Sequence, residues 1–140
     1  MKIGRGGTLA LLVALMLTLG AQFAFASNPS TSLGGCMKAW TPYGVTNSGG
    51  YTIVQAHSYN SGCYGGSFRN CLERSSWSGY VTLRCNAWHL ASQVHDEKVS
   101  GCLKGRYDYH TFQDYAAPDG QTHFLLYSEA VKGFGCAVTV

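Results

Sequence analysis

Six cysteines, Cys36, Cys63, Cys71, Cys85, Cys102 and Cys136, constrain this chain more than any other feature. An even count in an exported domain reads as three disulfides, and six cysteines allow 15 pairings. Each bridge stabilises by about 2–4 kcal/mol, mainly by restricting the unfolded chain. No CxxC and no Cys/His pair at zinc-finger spacing appears, so the expectation is disulfide and not metal, with no free thiol. Short chain separations favour Cys36–Cys63 and Cys85–Cys102, which leaves Cys71–Cys136.

The export reading comes from the N-terminus. Lys2 and Arg5 form a positive region, residues 8–20 are an apolar run, and "AFAS" at 24–27 presents small residues to a signal peptidase. Cleavage is expected after Ala26. The apolar run is short for a bilayer span, and no cysteine at the cleavage point offers a lipid anchor. The protein is therefore expected to be secreted, with no membrane contact after cleavage. Losing Lys2 and Arg5 lowers the formal charge from +3 to about +1. A nucleic-acid binder would carry a basic patch, so no nucleic-acid partner is expected. Charged residues are 12% of the chain, half the usual share. Such a surface suits hydrogen bonding and stacking better than electrostatic steering.

After a small, polar lead-in over 27–35, period-two segments alternate with turn residues, which predicts one antiparallel all-β domain over 36–140. Strands are expected at 36–41, 51–60, 67–75, 80–91, 122–131 and 133–140, with short strands ending at Cys102 and following it. The polar run 92–102 reads as a connection, and "QDYAAPDGQ" at 113–121 as a loop with a "PDG" turn. About eight strands at this spacing imply a small sandwich or barrel stapled by three disulfides. Phe68 and Leu72 share one face. Val81, Leu83, Cys85 and Ala87 are assigned to the core face of their strand, with Tyr80, Thr82, Arg84, Asn86 and Trp88 opposite.

"GCLKGRYDYHTFQDY", residues 101–115, concentrates the chemistry. As a strand it places Tyr107, Tyr109 and Thr111 on one face and Arg106, Asp108, His110 and Phe112 on the other. The second row is expected to be solvated. Tyr107 and Tyr109, joined by Trp88 or Tyr64, are the candidate ligand-binding residues, because tyrosine and tryptophan offer a large contact area with a polar handle. Catalytic patterns are mostly missing: there is no GxSxG, HExxH or P-loop, and bridged cysteines are not nucleophiles. Adjacent Asp96 and Glu97 point apart on an extended chain. His89 and His95 read as surface or hydrogen-bonded histidines. One enzyme arrangement is open: Glu73, Arg106, His110 and His123 supply the residue types of a small secreted ribonuclease. No cofactor or metal is expected.

The runs "CLKGRYDYHTF" and "NCLERSSW", with Cys136 close to the C-terminus, resemble small exported β-rich proteins of actinomycetes over residues 63–136. Cys71 and Cys85 are additional to the simplest version of that pattern. The resemblance implies an extracellular, disulfide-stabilised sandwich and assigns no activity.

The sequence thus reads as a secreted, non-enzymatic β domain that binds a polysaccharide or an extracellular protein. Its rivals are an inhibitor or toxin-like effector, acting through "NSGCYGG" (60–66) or "QDYAAPDGQ", and the ribonuclease-like enzyme. Aromatics on a flat sheet face would favour glycan binding, and a protruding cysteine-anchored loop would favour inhibition.

Overall fold

The computed structural model describes residues 28–140, and the expected signal segment lies outside them. The fold is all-β and antiparallel. Its strands are β1 (Ser30–Ser32), β2 (Met37–Thr46), β3 (Thr52–Ser61), β4 (Ser67–Ser76), β5 (Gly79–Cys85), β6 (His89–Leu90), β7 (Val94–Gly101), β8 (Gly105–Ala116), β9 (His123–Tyr127) and β10 (Val131–Cys136). Strands β1-β2-β3-β7 form a four-stranded sheet. The second sheet is built on the long pair β4 and β8. β10 and β9 share the far side of β8, while β5 and β6 share the far side of β4.

The sheets face each other across two apolar clusters. One gathers Ile53, Val54, Ala56, Leu72, Val99 and Tyr109; the other gathers Met37, Ala39, Phe68, Ala91, Tyr115 and Leu126. Between them runs a buried polar seam. Thr111 Oγ1 donates to the Trp40 carbonyl at 2.6 Å, and Gln113 Nε2 reaches Ser58 Oγ at 3.5 Å. Buried polar groups need such partners, because an unpaired one costs about 1–3 kcal/mol.

Several expectations change. The lead-in is partly ordered, because Ser30–Ser32 pairs with β2. The supposed connection 92–102 is β7, which pairs along β3 from Ser61 to Val54. The run 80–91 is broken: a bulge at Leu83 shifts the β4–β5 register, β5 ends at Cys85, and a two-residue β6 follows at His89–Leu90. Of the supposed core face, Leu83 packs on the core, while Val81 on the edge strand β5 and Ala87 in the link to β6 are exposed. The loop expected from Gln113 starts only at Ala117, and Gln113, Asp114 and Tyr115 are buried in β8. Its "PDG" turn is real, with Asp119 accepting from the Gln121 and Thr122 amides.

All six cysteines are bridged, as Cys36–Cys63, Cys71–Cys85 and Cys102–Cys136. Only the first pair matches the separation argument. The β4–β5 hairpin register sets Cys71 opposite Cys85. Cys102 then follows the end of β7 and meets Cys136 of β10, so this bridge ties one sheet to the other.

Candidate functional site

β8 pairs on both sides, so its alternation decides what each face carries. Tyr107, Tyr109, Thr111, Gln113 and Tyr115 point toward the opposite sheet. His110, Phe112 and Asp114 point to the outer face of their own sheet, beside Glu73, Cys71 and Arg69 of β4. Tyr109 is fully buried, with its hydroxyl accepting from the Leu103 amide at 3.2 Å. Burial pushes its phenol pKa up. Tyr107 is half-buried, edge-on to Tyr109 at 6.3 Å, with the Arg74 guanidinium 5.0 Å over its ring. The expected Tyr107–Tyr109 binding face is therefore an inner face. Tyrosine carries too much apolar area to stay outside when an opposing sheet can cover it.

The row expected to be solvated is the more unusual one. Tyr80, reaching in from β5, stacks on His110 with ring centroids 4.0 Å apart and an interplanar angle of 12°. Tyr127 of β9 lies 5.2 Å from His110 and stacks on Phe112 at 4.9 Å. His110 and Phe112 are thus buried on an outer face, under two tyrosines that are themselves exposed. Beneath the rings, His110 Nε2 meets Glu73 Oε2 at 2.6 Å, and Thr82 donates to the other Glu73 oxygen at 3.0 Å. Partial burial, then the charges of Glu73 and Asp114, push the Tyr127 phenol pKa up.

Four residues along β8, about 13 Å at strand rise, a second pair repeats the chemistry. Asp114 bonds His123 Nδ1 at 2.7 Å and Arg69 at 3.3 Å. Arg69 in turn lies 4.7 Å beneath the ring of Trp88, which meets His123 edge-on at 6.3 Å. Trp88 is exposed and belongs to this face. Phe112 and the Cys71–Cys85 pair occupy the ground between the two carboxylates. At the opposite end, Asp108 accepts from the Gly133 amide at 2.7 Å and from Lys132 at 3.1 Å. These bonds hold the Asp108 pKa below the usual carboxylate range.

The ribonuclease set is only partly assembled. Glu73 and His110 touch, but Arg106 lies four residues away on β8, exposed and flanking Gly133, and His123 is committed to Asp114. A phosphate cannot be clasped by groups so spread. The two carboxylates are each held by their own partners and separated by a phenylalanine and a disulfide.

Tyr64 lies elsewhere. It is almost fully exposed in the β3–β4 turn, beside Cys63 of the first bridge. The Tyr115 hydroxyl donates to the Tyr64 carbonyl at 2.9 Å and pins this turn from below. Gly66, at φ 70°, is obligatory there: a β-carbon would collide with the Ala116 carbonyl oxygen.

Tyr80, Tyr127 and Asp114 were not among the residues that sequence reasoning selected. The signal for Tyr80 was present, since it shares its alternation with Trp88. No local pattern indicated that β9 would lay Tyr127 over β8. No family model, curated protein or solved structure matches this chain.

Proposed function

We propose that this is a secreted glycan-binding protein and that the outer face of the β4–β8 sheet is its binding surface. One observation carries the reading. Tyr80, His110, Tyr127 and Phe112 form a continuous aromatic row on an open sheet face, with exposed Trp88 further along it. Sugar rings present apolar C–H faces that stack on such rings, and hydroxyls that can pair with the partly exposed Arg69 guanidinium and His123 imidazole beside Trp88. A shallow, nearly neutral surface suits an extended polysaccharide better than a small charged ligand. Export is supported by the N-terminal segment and the three disulfides. Among the described residues no helix is long and apolar enough to cross a membrane.

The test is co-sedimentation of the oxidised protein with insoluble cellulose, chitin and bacterial cell wall. Retention on at least one of these is expected. Tyr80→Ala and Tyr127→Ala should each weaken it about tenfold, equivalent to about 1.4 kcal/mol. Retention by none of the three, or retention indifferent to both substitutions, overturns the proposal.

A second reading rests on the Tyr64 turn. A bridge and the Tyr115 hydroxyl hold a protruding tyrosine rigidly, which lowers the ordering cost of docking into a protein partner. In that case Tyr64→Ala would abolish capture of an extracellular enzyme, and the sheet-face substitutions would leave it unchanged.

A further inference from the structure

Glu97 and His95 alternate on β7 with exposed Val94, Asp96 and Lys98, so their side chains point inward from the edge of the four-stranded sheet. Inward-pointing ionisable groups are unusual. What they meet is His89, on the short strand β6 at the border of the other sheet. His89 Nε2 lies 3.4 Å from Glu97 Oε1, and His95 Nδ1 lies 3.5 Å from the same oxygen. The three ligand atoms fall within 4.8 Å of one another, and all three residues are partly buried. Phe68 walls the cluster on its inner side, with its ring 5.9 Å from His89 and 5.4 Å from His95.

Both His–Glu separations exceed an ordinary N–H···O bond. They match the edge of a tetrahedron, since ligands 2.0–2.1 Å from a common ion stand about 3.3 Å apart. The hydrogen bonding is also incomplete. His95 Nε2 is buried with no protein partner. If Nε2 carries the proton, the Nδ1 lone pair faces a carboxylate oxygen, acceptor against acceptor. A cation between them resolves this contact. The other Glu97 oxygen is already fixed, because Asn86 Nδ2 donates to it at 2.5 Å while Asn86 Oδ1 accepts from the Asn70 amide at 2.7 Å. A carboxylate oriented through its free oxygen is a usual support of a metal ligand.

From this we infer that His89, His95 and Glu97 form a site for a divalent transition metal such as zinc, clipping β6 of one sheet to β7 of the other. Two imidazoles and one carboxylate are a zinc ligand set with a fourth position left for water; the mixed nitrogen and oxygen donors disfavour calcium and magnesium, which prefer oxygen alone. The site is separate from the proposed glycan face, and neither depends on the other.

The experiment is calorimetric titration of metal-free, disulfide-intact protein with Zn²⁺, with the melting temperature followed in parallel. One equivalent should bind and raise the melting temperature. His89→Ala and Glu97→Gln should each weaken binding at least about a hundredfold, Asn86→Ala about tenfold, and His57→Ala not at all. Imidazole NMR of the unsubstituted protein covers the case of variants that fail to fold: zinc should shift His89 and His95 and leave His57 and His123 in place. The absence of saturable binding, or shifts confined to other histidines, overturns the inference. So does a His89→Ala variant that binds zinc normally and only self-associates. That result would make the cluster a guard against pairing at the β7 edge.

Discussion

The two outer faces of the sandwich carry the same small constellation in different surroundings. On the β4–β8 sheet, Tyr80 stacks on His110, which bonds Glu73. On the β3–β7 side, Trp40 stacks on His57 at 4.3 Å and 12°, and His57 bonds Asp96 at 2.5 Å. The contacts are nearly identical, but the wetting is not. The side chains of His110 and Glu73 are 10% and 12% exposed, whereas those of His57 and Asp96 are 23% and 60% exposed. The difference is topological. β8 and β4 are interior strands flanked by strands that send tyrosines over them, while β7 is an edge with solvent beyond it. The same kind of aromatic–histidine–carboxylate contact should therefore stabilise the protein on one face and matter little on the other.

Removing each carboxylate separates the two cases. Glu73→Ala strands His110 and deprives Thr82 of its acceptor in a dry site, and should cost about 2–4 kcal/mol. Asp96→Ala breaks a solvated pair and should cost less than about 1 kcal/mol. Urea denaturation of the oxidised proteins measures both. Equal losses would show that burial does not set the worth of these pairs.

The stack on the drier pair comes next in size. Tyr80→Ala uncovers His110 and removes one aromatic contact, for about 1–2 kcal/mol of stability beyond its effect on ligand retention. Tyr80→Phe keeps the ring and should recover most of that, as read from the same denaturation midpoints.

The fold was legible in the sequence, but the proposed binding face was not. Alternation in residues 105–116 places Tyr107 and Tyr109 opposite His110 correctly, because the strand period is local. Which face turns inward is not local. It depends on β2 and β3 packing over β8 and on β5 and β9 flanking the β4–β8 pair, contacts that no window of sequence contains. The disulfides repeat the lesson. Cys36–Cys63 follows from closeness in the chain, whereas Cys102–Cys136 follows from two sheets meeting, at a separation of 34 residues. His89 and His95 looked ordinary because their third partner, Glu97, faces them only once the supposed connection becomes β7. Asp119 was readable, since its turn is made of adjacent residues.

A smaller effect tests the dry face through its phenol. Tyr127 has its pKa raised above 10.0, first by partial burial and then by Glu73 and Asp114. The protonated form is favoured on folding, so its contribution is complete below pH 10 or so and is lost as pH rises through the higher folded value. Ultraviolet difference titration should show tyrosines late in the alkaline transition, Tyr109 and Tyr127 among them, and Tyr127→Phe should remove one of them. Glu73→Gln should bring that one earlier by removing one of the two charges. No change on that substitution would mean that burial acts alone.

The smallest effect belongs to a carboxylate with no burial at all. Asp119 is depressed from 3.8 to about 2 by the Thr122 hydroxyl, then by the Thr122 and Gln121 amides. Its folded value is lowered, so its contribution is present above pH 3.8 and is lost only as pH falls through about 2. Thr122→Val removes the largest of these bonds and should move the midpoint back toward 3.8, followed by NMR at the Asp119 carboxyl carbon. Global stability at neutral pH should scarcely change, because the turn is solvated on all sides. Asp119 thereby isolates what hydrogen bonds do without desolvation, and Tyr127 what desolvation does with few hydrogen bonds. The Glu73–His110 pair, with both at once, should exceed either. If Thr122→Val destabilised the fold as much as Glu73→Ala, hydrogen bonding alone would account for the difference between the two faces.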